Sequence, residues 1–494
     1  MRMAFLLLAA AASHAATVRG NVVENQTGKP LSRVLVKLLP LPGSSAAAIT
    51  TWTSAYGAFD FSNVPPGAWL LSASRKNYVT VQYGQKQWTS AGQPIILDES
   101  AAVSLNIRMP RFGAITGRVL DENGVGIPDQ QVVAYRNSRP PELIAHGTAD
   151  EQGRFRIYGL VPGSYVVRAA AWQDESISYV PTFSADSASV EEARTVDVGL
   201  DQEVDGADVK PIRGRLFDVA GIVFPSLQED VKLTFATDMG RETTQTPAGF
   251  RFGPVPPGIY EIYAEGPGGP GCDVLAAWQE VDLRTPHRID LTVPCMPPVS
   301  VAIMGKGGEQ PDVSQFQVLA RRVDRAGPGE IQELPIGRRG AMLLPGRWQL
   351  MLKTPPGYYA AEFRYSSMAP NQRRADGWND ITITRAGRIV FVVSTSPGGV
   401  HGQVTGTAHE AVAGAPVYLE PIDAASGARA GDLRTALTDT RGQYHFYGLA
   451  PGQYRILATF EYQSPDADTM TRCAKTITIS ERSDTDLALD LLVL

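Results

Sequence analysis

The sequence predicts an all-β protein, a tandem array of about five Greek-key β-sandwich domains after a cleaved signal peptide. Three observations carry this reading. Apolar and polar residues alternate over short runs, Pro-Gly and Asp/Gly turns cut those runs, and one such turn returns at intervals near one hundred residues. A chain of 494 residues with 48 Gly and 36 Pro exceeds one ordinary core and is interrupted too often for long helices. No convincing amphipathic helix is legible.

The chain opens MRMAFLLLAAAASHAAT. Arg2 gives a weakly basic start, Ala4 to Ala12 an apolar core, and Ser13-His14-Ala15 a small-x-small cleavage site. Residues 1–15 are therefore expected to be a signal peptide, which sends the remainder to the periplasm, the cell envelope or the medium. The apolar stretch is well short of the ~20 residues a spanning helix needs, and no later segment reaches that length, so no membrane span is expected. A net charge of −6 and a pI near 5.7 argue against a nucleic-acid partner.

The recurring turn reads GAFDFSNVPPGAW (57–69), GRFRIYGLVPGSY (153–165), GFRFGPVPPGIY (249–260), GAMLLPGRW (340–348) and GQYHFYGLAPGQY (442–454). Its second glycine falls at 67, 163, 258, 346 and 452, a spacing of a whole small domain rather than of a solenoid repeat. Phe155 and Ile157 point to one face of a strand, Pro162-Gly163 turns the chain, and Tyr165, Val167 and Ala169 point inward from the next strand. Pro and Gly in this order predict a type II turn with positive φ at the glycine. The aromatic after each turn (Trp69, Tyr165, Tyr260, Trp348, Tyr454) reads as a core plug with a polar tip.

Upstream of four of these turns lies a second signature of strand, polar turn and strand: GNVVENQTGKPLSRVLVKLLP (20–40), GRVLDENGVGIPDQQVVAYR (117–136), GRLFDVAGIVFPSLQEDVKLTF (214–235) and GQVTGTAHEAVAGAPVYLEP (402–421). Each unit closes with an alternating strand ended by proline or by the last residue. These marks divide the chain into residues 16–110, 111–210, 211–297, 298–396 and 397–494. The fourth lacks a clear opening signature and is the most divergent. Linkers as short as PRFGA (110–114) predict a fairly extended row with limited bending.

The patterns G-x-V…G-x-x-[LIV]-x-x-x-x-V and D-x-x-G-x-[FY]-x-[FI]-x-x-L-x-P-G-x-Y resemble the bacterial carboxypeptidase regulatory-like domain. That domain is a transthyretin-like sandwich related to carbohydrate-binding-like and Cna-B-like folds. The second and fifth units follow the pattern almost throughout, the first and third moderately, the fourth weakly. The resemblance implies a Greek-key sandwich in an exported protein and brings no catalytic residues of its own.

Searching for chemistry leaves no catalytic residues to nominate. His146, His287, His401, His409 and His445 each lack a Glu three positions later, and neither a Gly-x-Ser-x-Gly elbow nor a P-loop is present. Asp121-Glu-Asn123 and Asp466-Ala-Asp468 offer hard oxygens for Ca²⁺ but read as acidic turns. No metal site and no cofactor is expected. Cys272 and Cys295 fall in one unit of an exported chain and are expected to bridge; Cys473 reads as a buried small side chain.

Binding is the function that remains. Tyr83, Trp88, Trp172, Trp278 and Trp378 lie outside the strand signatures and offer flat faces for a saccharide or peptide. The reading is a non-enzymatic exported protein that spaces or presents binding surfaces, with a carbohydrate or an envelope protein as partner. The alternatives are a saccharide-binding protein proper and an accessory subunit of an outer-membrane receptor or peptidase.

Overall fold

The computed structural model describes residues 16–494 apart from 138–141, 174–176, 225–229, 238–239, 286–287, 297–298, 342, 356, 366–377 and 386. The signal-peptide assignment and His287 lie outside the described residues. Strand pairing gives five pairs of sheets along the chain, each pair enclosing its own apolar cluster.

The units share one topology. Each opening strand (Ala16–Glu24, Gly113–Arg118, Phe217–Phe224, Val299–Gly305, Gly398–Thr405) pairs antiparallel with the strand that enters the Pro-Gly turn. On its other side it runs parallel to a strand late in the unit, such as Ala102–Met109 in the first and Ile289–Thr292 in the third. The strand leaving the turn (Gly67–Ser74 in the first unit) sits inside the facing sheet, beside Leu35–Pro40. The fourth unit departs from the others by adding Tyr359–Tyr365 to its first sheet, antiparallel to Arg388–Ser394.

Alternation explains the cores. In the strand Arg154–Leu160, Phe155 and Ile157 are buried while Arg154, Arg156 and Tyr158 are exposed. One glycine in four of the five opening strands is forced by crowding: a Cβ on Gly20 would sit 2.0 Å from the Leu105 carbonyl oxygen and 2.9 Å from the Phe59 ring. Gly221 and Gly402 meet backbone late in their units just as closely, at 2.1 and 1.9 Å, and Gly117 meets that of Ala207 at 2.7 Å.

The Pro-Gly step differs from the expected type II turn. Gly163 and Gly258 do not have positive φ, and Gly67, Gly346 and Gly452 lie at +143°, +134° and +154°, far from the +80° such a turn requires. Positive φ instead falls a few residues earlier, on Asn63, Gly159 and Gly448, where register shifts mark a bulge. What the turn serves is a lock. Trp69 Nε1 donates to Pro65 O (3.0 Å), Tyr165 Oη to Val161 O (2.6 Å), Tyr260 Oη to Pro256 O (2.7 Å), Trp348 Nε1 to Leu344 O (2.8 Å) and Tyr454 Oη to Ala450 O (2.7 Å). In all five units the aromatic folds back to the carbonyl four residues upstream. Glycine leaves room for that ring: a Cβ on Gly258 would lie 3.2 Å from the Tyr260 ring.

The acidic turns behave as local backbone caps. Asp150 Oδ1 accepts from the amides of Gln152 and Arg154, with Gly153 at φ +72°, and Asp439 does the same for Arg441 and Gln443. Asp121 accepts from the amides of Asn123 and Val125. Asp466 caps a short helix, Ala467–Cys473, that the alternation did not reveal. Met470 of that helix packs on Tyr418 and Leu457, with Cys473 partly buried alongside. Cys272 and Cys295 form a disulfide within the third unit, with Cα atoms 5.7 Å apart.

The row of units is not extended. Residues 86–91 of the first unit touch residues 460–463 of the fifth, so the contacts between neighbours close into a circuit.

Candidate functional site

Each joint between units is built from charged side chains that sequence alternation leaves on loops and strand ends. Between the first and second, Glu24 is 5% exposed and accepts from Thr27, Arg111 and, at 3.3 Å, Tyr78. The Thr27 hydroxyl and the Arg111 guanidinium hold its carboxyl below the usual range. Asp201 accepts from Asn25 Nδ2 (2.9 Å) and the Arg111 amide (2.6 Å). Between the second and third, Glu122 receives Arg213 and Tyr179 Oη.

The third and fourth units share the densest network. Arg241 binds Asp324 through two bonds of 2.8 and 2.9 Å, and Arg347 reaches the fully buried Glu261 at 2.6 Å. Glu261 also accepts from the Arg325 amide at 3.0 Å, and Arg322 lies 4.4 Å over the Tyr263 ring. Burial pushes the Tyr263 phenol well above its usual pKa. Between the fourth and fifth, Glu481 takes Lys306 (3.1 Å) and Tyr359 Oη (2.9 Å).

The closing joint is partly main-chain. The Ala91 amide donates to Phe460 O (2.9 Å) and the Gln463 amide to Thr89 O (2.6 Å), while Gln463 Nε2 reaches Ser90 O (3.0 Å) and Lys86 pairs with Glu461.

The loop aromatics are distributed over this framework and not gathered into one site. Tyr83 is 37% exposed, and half-buried Trp88 belongs to the first-unit loop that closes against the fifth. Trp172 stacks on Tyr179 with centroids 5.3 Å apart and rests on the second core. Trp278 pairs across the sheet with Tyr263 and lies near Gly346, at the joint of the third and fourth units. Trp378 is buried, with Arg321 4.2 Å above its ring.

A cleft of about 750 Å³ lies between the fourth and fifth units. Tyr359 and Leu352 line one side; Arg429, Arg434 and the turn Ala450-Pro451-Gly452 line the other. Fully buried Glu420 orients Arg429 and also holds Arg455 at 3.1 Å. Arg434 Nη2 donates to Tyr447 O at 2.8 Å. The cleft thus offers guanidinium donors and turn backbone, a set suited to holding a polar ligand. Neither arginine was singled out from sequence, because Arg434 lies in a strand and Arg429 in a polar loop of no recognisable motif.

Among the described residues no group of three or more His, Cys, Asp or Glu is arranged to hold a metal ion. His401 Nδ1 lies 3.0 Å from Asp484 Oδ1, and that contact raises the imidazole pKa above its usual value.

Residues 17–110 and 114–205 each match the family model of the carboxypeptidase regulatory-like domain. The first two units are carboxypeptidase regulatory-like domains. The lock that Trp69 and Tyr165 form in these two carboxypeptidase regulatory-like domains recurs at Tyr260, Trp348 and Tyr454 in the other units. No curated protein matches the chain in sequence. Among solved structures, a minor pilin of Streptococcus agalactiae aligns at 15% identity over 41% of this chain and 97% of its own, with a TM-score of 0.25. A streptococcal ancillary pilin aligns at 12% identity over 77% and 99%, with a TM-score of 0.17. The Bacillus anthracis TIE protein aligns at 9% identity over 93% and 68%, with a TM-score of 0.15. Superpositions this loose add nothing to what the residues themselves establish.

Proposed function

We propose that this chain is a non-enzymatic exported scaffold that holds binding surfaces in a fixed arrangement at the cell envelope. The observation that carries the reading is the contact of the fifth unit with the first. Joints with buried or paired carboxylates at every step, together with that closure, favour one body over a string of independently swinging domains. The joints fall near residues 110, 210, 297 and 396, which we take as the unit boundaries. The signal-like N-terminus and the Cys272–Cys295 disulfide both favour an oxidising compartment outside the cytosol.

A second reading, saccharide binding, draws its support from the cleft between the fourth and fifth units, whose Arg429 and Arg434 line it with guanidinium donors. Small-angle scattering on the mature chain tests the first reading. Five units of radius of gyration ~13 Å give about 50 Å in a straight row and about 30 Å in a closed circuit. A value near 50 Å refutes the scaffold. A glycan array tests the second reading: binding that survives Arg434→Ala removes the cleft from consideration.

A further inference from the structure

The outward face of the first sheet repeats from unit to unit, so one row across it can be compared at equivalent positions. The row is fixed by the residue before the crowded glycine of each opening strand. In the first unit it reads Asp60, Arg19, Ser104. In the second, Arg156 lies opposite Thr116, but Glu203 pairs with Arg156 at 2.9 Å and Asp205 accepts from Thr116 at 2.9 Å. In the fifth it reads His445, His401, Asp486. Each of these rows carries an acid.

The third unit differs. Ala220 lies opposite Arg251, and on its other side Gly221 pairs with Ile289, which places Arg288 beside Ala220. Two guanidinium groups therefore flank an alanine, one strand spacing to each side. The Arg251 side chain makes no hydrogen bond or ion pair among the described residues. Arg288 meets Asp290 at 3.6 Å with both side chains largely exposed, a pair of little strength. Arg215, stacked on Phe217 at 4.9 Å, adds a third cation to the same recess, against Asp218 as the acid in its lining. The recess is a broad, open groove of about 980 Å³ floored by Ala220, Gly221 and Gly249.

We propose that this groove binds an acidic polysaccharide, with carboxylates seated between Arg251 and Arg288. Arginine presents paired donors in the geometry a carboxylate accepts. The central strand continues outward through Ala220, Ile222 and Phe224, the last 44% exposed, giving an apolar strip for sugar ring faces beside the cations. An acidic peptide fits less well. The floor of Ala220, Gly221 and Gly249 offers no pockets to select the alternate side chains of an extended peptide. The proposal is independent of whether the units close into a circuit.

Affinity electrophoresis of the mature chain through gels containing polygalacturonate, neutral dextran or poly-L-glutamate tests it. The expected result is retardation by polygalacturonate alone, weakened at least tenfold in R251Q/R288Q and abolished by salt. R154Q/R156Q, at exposed positions of the second unit, should be retarded like wild type. Unchanged melting of the double variant would show that its fold is intact. No retardation of the wild type, or equal retardation of R251Q/R288Q, overturns the proposal. Equal or stronger retardation by poly-L-glutamate reassigns the groove to acidic polypeptides and also overturns it.

Discussion

Arg347 of the fourth unit donates to Glu261 of the third across 2.6 Å, and the carboxylate is wholly buried while the arginine remains half exposed. The asymmetry matters because removing the arginine strands a charge away from water, whereas removing the acid releases an arginine to solvent. Arg347→Met should therefore weaken this joint by about 3 kcal/mol, and Glu261→Gln by less. Hydrogen exchange of the strand Ile259–Pro267 in the full chain checks this, with an acceleration of roughly a hundredfold expected for the arginine variant.

Acid should loosen the joint between the first and second units. The Glu24 carboxyl is held below its ordinary 4.5, first by Thr27 and then by Arg111. The part of that depression due to Arg111, which lies across the joint, stabilises the charged joint fully above 4.5 and is lost as pH falls through the lowered value. Spin labels on the two units should report a narrow distance distribution at pH 7 that broadens near pH 3. Glu24→Gln should be broad at both.

Tyr165→Phe removes one hydroxyl and leaves the Val161 carbonyl without its donor, while the buried ring stays in place. A loss of about 1 kcal/mol from the second unit is expected. Tyr165→Ala should cost about 3 kcal/mol or more, because the cavity then adds to the lost bond. Calorimetry resolves the two, and a Tyr165→Phe variant as stable as wild type would deny the lock any role beyond filling space.

Lys86→Glu combined with Ala91→Pro places like charges opposite Glu461 and deletes the amide that bonds Phe460. The radius of gyration should rise toward that of an open row with no change in the circular dichroism of the strands. A variant as compact as wild type would show that the units close for another reason.

Much of the sandwich was legible because its causes are local. Phe155, Ile157 and Tyr165 declare a strand, a turn and a strand by spacing alone, and Asp150 with Gly153 declares the turn between signatures. The lock was hidden, since nothing in Pro162-Gly163 says that the Tyr165 hydroxyl reaches back to Val161 instead of the glycine turning the chain through positive φ. The short helix escaped because seven residues are too few to show a 3.6-residue period. The joints were the least legible. Glu24 meets Arg111, Glu261 meets Arg347 and Lys86 meets Glu461 across long stretches of chain, and each alone looks like an ordinary surface charge. Trp278 and Trp378 show the same limit from the other side: an aromatic outside the repeat signature was free to serve a joint or sit beneath an arginine.

The parallel pairing of opening and late strands has a mechanical meaning. A pull along the chain enters a unit on one of these strands and leaves by the other, so the hydrogen bonds between them are sheared together rather than unzipped singly. The first unit sets eight unbroken residue pairs against such a load, the third four, and the fifth five split between two short strands. Held by its ends, the molecule should first release the contact between Lys86 and Glu461 at low tension. The second unit, with two ladder pairs and one isolated bridge, should then yield along with the third and fifth before the first, an order that single-molecule stretching can read directly.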